Sequence, residues 1–292
     1  VLSAEYCVIV NRQKRFAPPG RAPAIVKSAS RRPDGHRQSS IVNRQSSIVN
    51  RQSSIISMSV NHEHIAHVHT LLAEAYGPRR FRGGRNPLDE LVMTILSQNT
   101  SDRNSGRAYR ALRQAYPTWQ AVLEAPTGEL YEVIKPAGLG NVKAPRIQQT
   151  LRAILERRGE LSLDFLAELP LNEARAWLLS LDGVGPKTAA CVLMFALGLP
   201  ALPVDTHVHR VSLRLGLLGP KVNAEKAHTM LEAALPAEAV YAFHLNMIQH
   251  GRLVCKAQRP LCERCVLREV CAYYRGLVDK KTTEAMEVEP GH

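Results

Sequence analysis

An all-α fold is what this chain predicts, on three observations. Ala and Leu dominate a composition that is 45% hydrophobic and only 5% aromatic, and alternating β-branched runs are few. After Met58, apolar residues recur at helical spacing almost to the C-terminus. The periodic segments are joined by short connections, often marked by Gly or Pro, and none reads as a β-hairpin.

Taken in order, residues 37–57 come first, a near-perfect seven-residue repeat of RQSSIVN. Its apolar residues are adjacent (Ile41–Val42, Ile48–Val49, Ile55–Ile56) and lack the seam of a coiled coil. Residues 1–57 are therefore expected to be a disordered, low-complexity extension. A tandem repeat is also what translated upstream DNA would give, with Met58 as the start. Residues 61–76 form the first periodic segment and stop at Gly77-Pro78. A basic loop from Arg79 to Arg85 follows, and Pro87 opens an apolar helix, Leu88 to Ser97. Further helices are predicted over 102–115, 119–124, 127–135, 141–158, 171–180, 187–198, 206–216, 222–233 and 238–252. A cysteine loop and a polar tail, 276–292, complete the chain.

The net charge of +12 is unevenly spread. Residues 1–57 hold ten Lys and Arg against two acids, and 277–292 two Lys against four acids, which leaves about +6 on 58–276. That balance suits a polyanion without establishing one. No apolar stretch reaches the length of a membrane span, and no apolar leader stands at the N-terminus. Four of the six cysteines share one loop, and Cys191 sits within an apolar helical run, so a reducing cytoplasm is the expected compartment.

Cys255, Cys262, Cys265 and Cys271 are spaced C-x6-C-x2-C-x5-C. One C-x2-C knuckle with a single cysteine on each side suits one compact metal body. A zinc ribbon usually separates two knuckles. The expected cofactor is a 4Fe–4S cluster, with a structural zinc as the alternative.

The segment Leu181-Asp182-Gly183-Val184-Gly185-Pro186-Lys187 joins two helical stretches. Glycine lets backbone approach a ligand, and a helix N-terminus favours an anion. Gly183, Val184 and Gly185 are therefore candidates for holding a nucleic-acid phosphate, with Val184 turned back into the core. A plain αα-turn is the alternative. Lys187 falls on the first turn of the next helix, where its charge is disfavoured by the dipole. A neutral amine there is a nucleophile; a phosphate contact is the blander role. Asp205 precedes the segment 206–216, where it suits a helix N-cap and equally a carboxylate beside a reacting sugar.

Together these residues resemble the endonuclease III family, the cluster-bearing branch of the helix-hairpin-helix DNA glycosylases. The resemblance rests on L-D-G-V-G-P-K-T-A, on V-D-T-H-V-x-R-V, on H-G-R-x-x-C and on the cysteine loop, and covers roughly 61–275. It implies two all-α lobes: a six-helix barrel over 88–204, and a cluster lobe from 61–87 and 205–275, with DNA in the groove between. It implies a glycosylase and abasic-site lyase of base excision repair, acting as a monomer on double-stranded DNA with oxidised pyrimidines or abasic sites. Lys187 matches the family's nucleophile and Asp205 its assisting carboxylate. Leu139 matches the residue that fills the gap left by a flipped base; a loop residue folded onto the core is the alternative. Gln98 and Asn99 lie at the opposite-strand reader, where Asn99 stands for the family's usual glutamine. Lys256 and Arg259 would face phosphate from the cluster loop. Two rivals share the fold: an adenine-mismatch glycosylase, which generally lacks the lysine, and a differently specialised lesion glycosylase. A non-catalytic DNA-binding module is the third, and would not require the pair Lys187 and Asp205.

Overall fold

The computed structural model describes residues 60–287; the disordered extension expected over 1–57 lies outside them. Among the described residues all regular structure is helical. Helix α1 (His62–Tyr76) starts where the Asn61 side chain accepts the His64 N–H, and it buries Ile65, Val68 and Leu72 at three- and four-residue intervals. Helix α2 (Pro87–Ser97) is capped by Asn86 and carries Pro at its first position. Ser101 caps α3 (Asp102–Ala115), and Thr118 caps α4 (Trp119–Glu124). Each such cap is worth about 1 kcal/mol. Helix α5 (Thr127–Ile134) runs into a 3-10 turn, Lys135–Ala137, before α6 (Gly140–Arg158) and α7 (Leu171–Leu179). Then come α8 (Pro186–Cys191), α9 (Thr206–Leu215), α10 (Ala224–Ala233), α11 (Val240–Leu253) and α12 (Ala272–Glu287).

Two hydrophobic cores organise these helices. One gathers residues of α2 to α8, among them Leu91, Ile95, Leu112, Ile134, Leu151 and Leu178. The other gathers α1, α9, α10, α11 and the cysteine loop, among them Leu72, Val208, Leu231, Phe243, Ile248 and Leu267. Ion pairs stitch elements of the two together: Arg252 to Asp102 at 3.0 Å and Arg175 to Glu232 at 2.6 Å.

One expectation differs from the structure. The segment 187–198 is not one α-helix: α8 ends at Cys191, and Val192–Ala196 forms a π-turn. The cause lies in its surroundings. Ala189, Ala190, Val192 and Leu193 join the first core, whereas Cys191, Met194 and Phe195 join the second. A segment apolar on all sides and shared by two cores is fitted by the wider π spacing. Helix α12 runs from Ala272 into the polar tail as far as Glu287. Its first turn is seated on α9, where the Arg214 guanidinium lies 5.0 Å from the Tyr273 ring centroid.

Candidate functional site

The glycine turn between α7 and α8 divides its residues sharply. Leu181 and Val184 are buried in the first core, and the Val184 N–H closes the turn onto the Leu181 carbonyl at 3.1 Å. Asp182, Gly183, Gly185 and Pro186 face outward. Gly183 has φ 79°, in the left-handed region. A Cβ there would meet Arg146 Nε at 2.6 Å. A Cβ on Gly185 would meet nothing within 4 Å, so that backbone stands open to a ligand.

Lys187 lies one residue inside α8 and is half-buried. Burial of its amine lowers its pKa from the ordinary lysine value, and the charges of Asp205 and Asp102 act in the opposite sense. The two residues proposed from sequence therefore lie within electrostatic reach of one another, with Asp102 as an unanticipated third. Asp205 is 4% exposed. Its Oδ1 accepts the His207 and Val208 N–H groups at 2.9 and 2.8 Å and so caps α9. Its Oδ2 is buried and accepts no hydrogen bond. A buried carboxylate oxygen without a partner costs roughly 1–3 kcal/mol or more.

Among the described residues three non-glycines have positive φ: Asn99 (55°), Leu139 (52°) and Arg259 (49°). All three are candidate DNA contacts. Leu139 is 53% exposed, so it is not folded onto the core. Such strain, about 1–2 kcal/mol each, persists where surroundings over-determine it, and it gathers at functional sites. Asn99 faces solvent, and the Gln98 Oε1 accepts from Arg146 Nη1 at 3.0 Å.

The four cysteines of the loop line a single cavity with Val211, Leu215 and Tyr274. Burial, with the neighbouring sulfurs, pushes the Cys265 thiol up to about 11 and those of Cys262 and Cys271 upward. Four thiolates in an apolar cavity need positive metal centres. Four cysteine sulfurs lining one cavity suit a soft, multi-centre metal body. Neighbours also address the sulfurs. The Leu267 N–H donates to Cys265 Sγ at 3.4 Å, and His250 Nε2 stands 3.5 Å from the same atom. The Tyr76 hydroxyl holds His250 Nδ1 at 2.9 Å, and Arg214 donates to Cys255 Sγ at 3.4 Å. Lys256 and Arg259 are exposed on the loop. Arg210 ties the loop to α9 through the carbonyls of Gly251 and Cys255 at 2.9 and 3.0 Å.

Known proteins resemble this chain in sequence and in fold. The profile of the HhH-GPD superfamily base excision DNA repair proteins matches residues 92–237, and that of the iron-sulfur binding domain of endonuclease III matches residues 255–271. Endonuclease III of Thermotoga maritima is 39% identical over 190 residues, 65% of this chain and 84% of that protein. Endonuclease III of Escherichia coli K12 is 36% identical over 188 residues, 64% and 84%. Among solved structures, a non-covalent endonuclease III–DNA complex superimposes with a TM-score of 0.65 at 31% identity, covering 75% of this chain and 99% of that one. A trapped endonuclease III–DNA covalent intermediate gives 0.64 at 30% identity, with the same coverage. Fold and hairpin thus define a base-excision DNA repair glycosylase of the helix-hairpin-helix class. Within that class the chain belongs to the endonuclease III family and carries its iron–sulfur binding domain.

Proposed function

We propose that this protein is a bifunctional glycosylase and abasic-site lyase that removes oxidised pyrimidines from double-stranded DNA. The observation that carries the reading is the pairing of Lys187 and Asp205. A partly desolvated amine with a lowered pKa faces a buried carboxylate that keeps one oxygen unpartnered. Phosphate binding alone requires neither. The trapped covalent complex of the endonuclease III relative supports the same chemistry here.

In this mechanism the damaged nucleotide leaves the stack. The neutral Lys187 Nζ attacks the sugar C1′, the glycosidic C–N bond breaks, and the base departs with its bonding electrons and takes up a proton. Asp205 stabilises the positive charge that grows on the sugar. Loss of a proton from nitrogen and opening of the sugar ring leave an iminium between Lys187 and C1′. A C2′ proton is then removed and the C3′–O bond breaks, which nicks the strand by β-elimination. Gly183, Val184 and Gly185 hold a phosphate, Leu139 fills the vacated stack, and Gln98 and Asn99 meet the opposite strand. The two cores are read as two lobes, 88–204 and 61–87 with 205–275, and the DNA as lying across the groove between them.

Cys255, Cys262, Cys265 and Cys271 would hold a 4Fe–4S cluster. Bound there, it would cross-link the loop and supply no step of the reaction. Lys256 and Arg259 then meet phosphate from that loop. The protein acts as a monomer.

The test is borohydride reduction of the protein mixed with duplex DNA containing an oxidised pyrimidine or an abasic site. A covalent protein–DNA complex is expected, and Lys187→Gln should abolish it while DNA binding persists. Absence of any such complex, with intact DNA binding, would move the assignment to a binding module. Iron analysis should find about four iron atoms per chain; one zinc and no iron would refute the cluster.

A further inference from the structure

We propose that Lys143 and Arg146, three residues apart on α6, are positioning residues that lock the wedge loop, the strand-reading loop and the glycine hairpin into one unit. The inference rests on the roles proposed above for Leu139, Gln98 and Gly183.

Lys143 is 2% exposed and heads the largest fully buried side chains. Its Nζ donates to the Leu96 carbonyl at 2.7 Å and to the Ala137 carbonyl at 2.9 Å. Leu96 lies two residues before Gln98, and Ala137 two residues before Leu139. Both carbonyls are at the C-terminal end of a helical segment, where the backbone presents negative partial charge and acceptors without intrahelical partners. One amine thus satisfies the ends from which both loops depart. A methionine would fill similar volume without the several kcal/mol that burying an ammonium costs. What the charged residue adds is this bridge.

Arg146 extends the tie to the third loop. Its guanidinium donates to Gln98 Oε1 at 3.0 Å, and its Cδ and Nε pass where a Cβ on Gly183 would stand, 2.7 and 2.6 Å away. A Cβ at 183 would displace the Arg146 side chain and would also be strained by the positive φ. Each loop carries a left-handed residue: Asn99, Leu139 and Gly183. For the non-glycines Asn99 and Leu139 such conformations persist only where the surroundings over-determine them. Lys143 and Arg146 supply that constraint from a single helix, so wedge and reader meet the duplex already ordered. Extruding a base costs a few kcal/mol, and ordering loose side chains at the same moment would add roughly 0.5–1.5 kcal/mol for each.

The experiment uses the full chain with Lys143→Met, Arg146→Gln, Leu139→Ala and the double variant Arg146→Gln/Leu139→Ala. Two rates are compared. One is excision of an oxidised pyrimidine from duplex DNA, which requires extrusion. The other is borohydride trapping on a single-stranded abasic oligonucleotide, which does not. Lys143→Met and Arg146→Gln should each lower duplex excision about tenfold and leave single-strand trapping within about twofold. The double variant should lose less than the product of the two single losses, because the residues act as one unit. A parallel fall in both rates, unchanged duplex excision, or strictly multiplicative losses would each overturn the proposal. Arg146 is half-buried, so its variants keep the test available if Lys143→Met fails to fold. If Leu139→Ala leaves duplex excision intact, the wedge reading itself fails. If Leu139→Ala acts and Arg146→Gln does not, only the coupling fails.

Discussion

Asp205 acts on the protonation of Lys187. Burial drives the lysine's pKa down from 10.5, and the Asp205 and Asp102 charges push it back up. A neutral amine is the reactive form, so trapping on abasic DNA should rise with pH along a limb lying below that ordinary value. Asp205→Asn removes a charge that favours the ammonium. Its limb should therefore move to lower pH, even as base excision falls by roughly 10²-fold or more through lost charge stabilisation. The pH dependence of single-turnover trapping checks this, and a limb moving to higher pH would contradict it. Leu139 is half exposed and left-handed, and its carbonyl accepts the Val142 and Lys143 N–H groups at the start of α6.

At the scale of elements, the hairpin assigns different physics to its two glycines. Gly183→Ala meets both a positive φ and the Arg146 side chain. It should lower stability by about 1–2 kcal/mol, read as a lower denaturation midpoint. Gly185→Ala has open space and φ −93°, so it should change stability by less than about 1 kcal/mol. It should nevertheless weaken DNA binding several-fold, because its methyl would stand in the path of the phosphate proposed for this hairpin. Helix α2 carries a different feature. Glu90 is 2% exposed, and burial raises its pKa from 4.5 to about 7. The folded state therefore holds a proton that the unfolded state releases between those values. Stability falls as pH rises from about 4.5 through about 7, and the full penalty stands above that range. Glu90→Gln should flatten this decline and stabilise the protein at pH 8 by on the order of 2–3 kcal/mol, measured by denaturant titration at several pH values.

Over the whole molecule, charge and architecture divide the work. The +6 carried by residues 58–276 supplies attraction to a polyanion, and the exposed Lys256 and Arg259 place part of it on the cluster loop. Lys256→Ala and Arg259→Ala should each reduce the slope of log affinity against log salt by about 0.9 for duplex DNA, uniformly across sequences. Binding measured at several salt concentrations checks both, and an unchanged slope would remove that residue from the interface. A connected set of contacts runs from Gln98 through Arg146 to the hairpin. Lys187 then faces Asp102, which pairs with Arg252 beside the cluster loop.

Local physics was legible along the chain. The cysteine spacing lies within one loop, the glycine turn is continuous, Asp205 caps the helix that follows it, and helical periodicity placed α1 to α11 to within a residue or two, apart from the π-turn that closes α8's segment. Each of these depends on neighbours a few residues away. What only the tertiary structure decided spans long separations. Lys187 and Asp102 face each other across 85 residues, and Leu96 and Ala137 share one buried amine. Lys143 and Arg146 would pass, from spacing alone, for part of a solvated helix face. The π-turn likewise arises because one apolar segment serves two cores at once. Periodicity and capping are short-range, whereas the convergence of charges is fixed by how the helices pack, so Lys187 and Asp205 could be nominated together from sequence but Asp102 and the two carbonyls that share Lys143 could not.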